Sequence, residues 1–138
     1  MLKYAAFCLT LGAFAVCAPV CAQYGAAPAT PPTSNIKRTL LQKVEIPNSN
    51  YDAVTGIAEI VPNANAGRHT HPGPETGYVI EGEMVLLVDG QPPKTLRAGD
   101  SYQIPTQAIH DVKTGDKPVK VMAVYLVERG KPLATPVQ

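Results

Sequence analysis

Residues 38–131 read as an all-β domain, a sandwich or a barrel. Three observations predict this. Short runs of β-favouring residues recur between Gly, Pro, Asn and Asp turn signals. No stretch repeats its apolar residues with helical spacing. Two runs, Met84–Val88 and Val119–Val127, are apolar on both faces, which calls for cover on both sides, in a sandwich or against a second subunit.

The elements follow in order. Thr39–Ile46 mixes Leu40, Leu41, Val44 and Ile46 with polar partners and stops at Pro47-Asn48. Tyr51–Val61 is a second strand, and residues 62–67 (PNANAG) form a turn. Past a bend at Pro72-Gly73-Pro74 come Thr76–Glu81 and Glu83–Val88, parted by Gly82, a residue that inside a strand marks a tight turn or a close backbone approach. Asp89-Gly90 signals a tight turn. Lys94–Arg97, Ser101–Ile104 and Ala108–Val112 are short strands, and Val119–Val127 reads as a central one. Residues 132–138 form a proline-punctuated tail expected to drape over the surface.

The first 22 residues differ from the rest. Lys3 is their only charge, an apolar run spans Tyr4 to Val16, and Val20-Cys21-Ala22 offers small residues at a cleavage position. The segment reads as a secretory signal peptide cut after Ala22, its apolar run being short for a bilayer span of about 20 residues. The expected location is periplasmic or secreted. Residues 23–37 read as a Pro/Ala-rich linker. Cys8, Cys17 and Cys21, and both phenylalanines, lie within the first 22 residues, and the chain has no Trp. The mature chain therefore has no disulfide and builds its core from Val, Ile, Leu, Ala, Met and Tyr. Loss of Lys3 leaves basic and acidic residues balanced at 11 each, with no basic run. That excludes nucleic acid, and membrane after cleavage, as partners and leaves a small molecule or another protein.

All three histidines of the chain, His69, His71 and His110, fall in two segments. On an extended strand the one-residue spacing puts His69 and His71 on one face, and Arg68 on the other. Glu75 follows four residues after His71, across the bend. Imidazole nitrogens joined by a carboxylate are a donor set for a transition metal, and too nitrogen-rich for Mg or Ca. Tyr78, Tyr102 and Tyr125 are first of all aromatic filling for a core without Phe or Trp. Glu81 and Glu83, flanking Gly82, read as a solvated turn.

The two segments resemble the paired motifs of the cupin superfamily. His69, His71, Glu75 and Gly82 fill the places of the first motif, and Gly99, Pro105 and His110 those of the second. Asn63 stands where the first motif opens with glycine, Gln107 where the second has its second glycine, and Thr114 where it has asparagine. The resemblance covers about residues 38–130. It implies a double-stranded β-helix, or jelly-roll, barrel holding one divalent transition metal (Mn, Fe, Ni, Cu or Zn) on His69, His71, Glu75 and His110.

Four protein ligands leave two positions open on an octahedral ion, which a catalytic metal needs. The resemblance admits a small dioxygenase of the quercetinase-like kind acting on an oxygen-bearing small molecule, with Glu75 as the catalytic residue able to accept a proton. The alternatives are a non-catalytic metal- or ligand-binding cupin, or a metal-dependent isomerase or lyase; the open coordination positions favour an enzyme. The strands apolar on both faces predict a homodimer.

Overall fold

The computed structural model describes residues 34–138. The signal peptide and most of the linker expected from the sequence lie outside the described residues. Ten strands follow in order: β1 (Ile36–Glu45), β2 (Tyr51–Ile60), β3 (His69–Thr70), β4 (Glu75–Glu81), β5 (Glu83–Val88), β6 (Lys94–Arg97), β7 (Ser101–Ile104), β8 (His110–Thr114), β9 (Val119–Glu128) and β10 (Thr135–Pro136). They form two five-stranded antiparallel sheets, ordered β1-β2-β9-β4-β7 and β10-β3-β8-β5-β6. This is the jelly-roll barrel, and among the described residues there is no helix.

Each long strand turns alternate residues inward. Along β2 every second side chain from Asp52 to Ile60 is buried, and β9 alternates in the same way. The main core packs Val79, Met84, Leu86, Leu96, Ile104, Val119 and Val121 between the sheets. Full burial of such a side chain contributes roughly 1.5–3 kcal/mol. A smaller cluster, Val54, Ala123, Tyr125 and Val127 with Leu133 against it, lies apart from it.

The expected two-sided burial of Met84–Val88 and Val119–Val127 is not met within one chain. Val85 and Leu87 are only half-buried, and Met122 is 39% exposed. The interior covers one face of each strand, and the other looks outward.

The turn residues explain the departures from the cupin pattern. Asn63 and Gln107, standing where the motifs carry glycine, take left-handed backbone, at φ 52° and 58°. Asparagine tolerates that region, whereas for glutamine it is uncommon. Gly82 has φ 86°, and a Cβ there would lie 2.4 Å from the Pro118 carbonyl oxygen, so glycine is required twice over. Thr114, in the asparagine place, donates its hydroxyl to the Val61 carbonyl at 2.7 Å and accepts from the Ala64 amide at 3.0 Å. A hydroxyl thus ties the 61–65 turn to β8.

Candidate metal centre

One sheet brings together the histidines of two separate segments of the sequence. His69 on β3 and His110 on β8 are direct cross-strand partners. His71 lies just past β3, and Glu75 opens β4 in the facing sheet, between Ile104 and Tyr125. All four side chains are buried, at 3–7% exposure. The ring centroids stand 4.2 Å (His69–His110), 4.9 Å (His69–His71) and 5.0 Å (His71–His110) apart.

Each ring has one nitrogen committed to a backbone carbonyl. His69 Nδ1 donates to Gly67 O at 2.6 Å, His71 Nδ1 to Leu133 O at 2.6 Å, and His110 Nδ1 to Ala108 O at 3.0 Å. A carbonyl only accepts, so each Nδ1 carries a proton, and in a neutral ring so held the lone pair is on Nε2. Potential ligand atoms of the three lie within 4.8 Å of one another. This is the outer-shell pattern that fixes tautomer and orientation in histidine metal sites.

Glu75 closes one side of the triad. Its Oε2 stands 2.9 Å from His71 Nε2 and 3.6 Å from His110 Nε2, and Oε1 accepts the Tyr102 hydroxyl at 2.8 Å. His71 Nε2 is buried with no hydrogen-bond partner. A bare imidazole lone pair facing a carboxylate oxygen repels it unless a proton or a metal cation lies between. The donors therefore fit a divalent transition metal: three neutral nitrogens and one carboxylate oxygen, with the orphaned nitrogen among them.

The electrostatics agree. Burial pushes the His69 imidazolium down to about 4, against the Gly67 carbonyl, which favours the proton; His110 is lowered for the same first reason. Both rings are thus neutral ligands near neutral pH. Burial would raise the Glu75 carboxyl, but a positive charge at His71, together with the Tyr102 hydroxyl, outweighs it and holds it below its ordinary value, the same demand for a cation between His71 Nε2 and Oε2 that the geometry makes. Burial and the Glu75 charge push Tyr102 and Tyr125 up, so both stay protonated.

Of the three tyrosines, Tyr102 and Tyr125 line the cavity and Tyr78 lies outside on the sheet, 46% exposed. Tyr125 packs its ring 4.8 Å from His71. Gln107 is exposed, and its backbone amide donates to the His71 carbonyl at 3.0 Å, so it serves the turn. Arg68 points away and pairs with Asp89 at 2.7 Å. Glu83 pairs with Arg97 at the surface.

Three supports were not foreseen from the sequence. Asp111, buried, accepts from the Gly67 amide at 2.9 Å and so holds the carbonyl that orients His69. Leu133 supplies the carbonyl for His71. Arg38, on β1, reaches the cavity and places Nη2 3.4 Å from His69 Nε2. Among the described residues, Arg38 and Glu75 are the charged side chains that line the cavity besides the histidines; Ile36, Ala58, Ile60, Ile104, Val112 and Val121 supply apolar wall.

The description "Cupin domain" matches residues 56–125, half of the chain, including every histidine and Glu75. The chain is a cupin. Over 78 residues this cupin is 36% identical to dimethylsulfoniopropionate lyase DddW of Ruegeria pomeroyi, covering 56% of this chain and 49% of that one. Over 57 residues it is 32% identical to dimethylsulfoniopropionate lyase DddQ of the same organism, covering 41% and 28%. The matches thus span half or less of these curated relatives. The crystal structure of DddQ superposes with a TM-score of 0.64 at 19% identity, covering 75% of this cupin and 52% of that chain. Oxalate decarboxylase of Bacillus subtilis, described with Mn(II) centres, superposes at 0.55 with 23% identity, covering 62% and 24%. At these identities the superpositions establish the fold.

Proposed function

We propose that this cupin binds one divalent transition metal on His69, His71, Glu75 and His110 and acts as a metal-dependent lyase on a small molecule. The observation that carries the reading is the commitment of all three Nδ1 atoms to carbonyls, which leaves three Nε2 lone pairs converging beside a carboxylate. The lyase assignment draws on the relatives, two dimethylsulfoniopropionate lyases at 32% and 36% identity over parts of their length.

A bound divalent ion would act as a Lewis acid on a substrate oxygen. The chain's residues supply the rest. Tyr102 pins Oε1 of Glu75, so Oε2 alone faces the reacting region. In an elimination Glu75 Oε2 would have to shift out of the donor set to accept the proton from carbon. The C–H electron pair becomes the new C=C bond, and the leaving group departs with the pair of its own bond. The apolar wall excludes water and strengthens charge interactions inside. The cavity itself is about 20 Å³, space for about one water, so an entering substrate requires side chains of its lining to move.

The reading also includes export, with the first 22 residues removed, and a homodimer. Charge distribution in the leader supports the first. An apolar cross-strand row on the outer sheet face, Ile57–Met122–Tyr78, supports the second.

The test is reconstitution of metal-free protein with Mn, Fe, Ni, Cu or Zn, followed by assay of dimethylsulfoniopropionate and other β-substituted small molecules, with and without air. Oxygen-independent release of an alkene product is the expected result. Dioxygenase chemistry would use the same donors, so strict dependence on oxygen would replace the lyase reading. Absence of metal from the wild-type protein, with loss of no ion on His69→Ala, would overturn the site.

A further inference from the structure

The chain has four arginines, and three face carboxylates. Arg68 meets Asp89 at 2.7 Å, Arg97 meets Glu83 at 2.7 Å, and Arg129 meets Asp52 at 3.0 Å and Glu45 at 3.8 Å. Arg38 is the fourth. Among the described residues no carboxylate lies within 4.0 Å of it, although it is the arginine that enters the cavity. Its Nε is buried without a hydrogen-bond partner, and the contact of Nη2 with His69 Nε2 is long, at 3.4 Å.

That contact uses the lone pair His69 would give to a metal. Once the nitrogen is a ligand, the guanidinium loses that acceptor, keeps only the neutral Tyr125 hydroxyl beside it, and stands next to a second cation. Glu75 cannot replace the acceptor, because Oε1 is held by Tyr102 and Oε2 faces His71 and His110. The charges then do not balance. A divalent ion and Arg38 together carry three positive charges, against one negative charge on Glu75, within apolar walls. Arg38 is half-buried with its Nε shielded from water, and leaving such like charges without a counter-ion is unfavourable, which an anionic ligand relieves. The fixed fork of a guanidinium matches a carboxylate with two parallel hydrogen bonds.

We propose that Arg38 is the anchor of a substrate carboxylate, so that this cupin acts on small carboxylic acids held between β1 and the metal. Arg38 comes from the edge strand β1, next to Ala58 of β2, where the cavity wall is small and apolar. A carboxylate held there leaves the carbon next to it facing Glu75. The proposal rests on the metal-site reading above and specifies its substrate.

The test uses zinc-loaded full-length protein, titrated by NMR with propionate and with propionamide, its neutral isostere. Elemental analysis of each sample is a separate readout. Wild type is expected to prefer propionate, and R38Q to bind it at least ~10-fold more weakly, the range for loss of a charge-assisted hydrogen bond, with zinc content unchanged. R38K, which keeps the charge and loses the fork, should fall between. Equal propionate binding by wild type and R38Q, or no preference over propionamide, would overturn the proposal. If R38Q does not fold, equal binding by R38K and wild type overturns it. Zinc-free wild type would count against the metal reading instead, and the same propionate comparison on that protein still decides the role of Arg38.

Discussion

The backbone carbonyl of Leu133, five residues from the last residue of the sequence, accepts the Nδ1–H of His71 at 2.6 Å. The tail is held there from three sides. The Leu133 side chain packs against the cluster of Val54, Ala123, Tyr125 and Val127, Thr135–Pro136 pair with β3, and the Val137 amide donates to Arg68 O at 3.0 Å. A segment that reads as surface drape is therefore part of the metal site. Ending the chain after Lys131 should leave the barrel folded and free His71 to rotate. Metal affinity should fall roughly 10–100-fold, the usual effect of losing an outer-shell partner. Competition with a chelator of known affinity measures it; an unchanged affinity would separate the tail from the site.

Tyr102 and Glu75 form the second coupling. The Tyr102 ring occupies the space a Cβ at Gly77 would need, 2.2 Å from its Cζ, so a glycine opposite on β4 seats the ring that reaches Glu75. Tyr102→Phe keeps the ring and removes the hydroxyl, leaving a buried carboxylate oxygen without its donor. The expected cost is about 1–3 kcal/mol of stability. Because the Tyr102 hydrogen bond helps hold the Glu75 carboxyl down, its loss raises that pKa, and acid unfolding should begin at higher pH than in wild type. Urea melts across the acid range read both effects.

Much of this site was legible in the sequence because its information is local. His69, His71, Glu75 and Gly82 sit at fixed spacings on one strand-turn-strand, and β alternation alone turns Arg68 away from the ligands. The strand positions were legible for the same reason, but the period-two burial of β9 was not, because its run is apolar on both faces. The supports were not legible, because they depend on pairing between distant segments. Arg38 reaches His69 across 31 residues, Asp111 holds Gly67 across 44, and Leu133 holds His71 across 62. Inward alternation of Arg38 on β1 was the available signal. It was hidden by the bulge at Leu41, which changes the phase of that strand between Leu40 and Gln42.

The outer face of the β1-β2-β9-β4-β7 sheet carries the proposed homodimer. Ile57, Met122 and Tyr78 are cross-strand neighbours, and Met122 and Tyr78 are 39% and 46% exposed. Burying such a row against its symmetry mate would cover the outer face of β9 that the interior leaves open. Met122→Glu sets like charges against each other across a two-fold interface and should yield a monomer, with the metal content of the wild type. Light scattering at micromolar concentration checks it, and a monomeric wild type would remove the interface.

Acid should weaken the metal-free fold in a defined window. In the unfolded chain His69 takes up its proton near 6.5, whereas burial delays this to about 4 in the fold. Between those values the unfolded state binds more protons than the folded one, so stability rises with pH across the window. Read downward, stability is whole above about 6.5, declines as pH falls, and stops declining from this source below about 4, where both states are protonated. His110, lowered by burial as well, adds in the same direction. Arg38 beside His69 also opposes the proton. A bound metal would hold the same Nε2 lone pair, so the loaded protein should resist acid longer, and metal release should accompany the loss of stability. Thermal melts of metal-free and zinc-loaded protein from pH 7.5 to 4 test this. The metal-free melting temperature should fall with pH through the window, and a flat profile would mean that His69 is already as accessible to protons in the fold as in the unfolded chain.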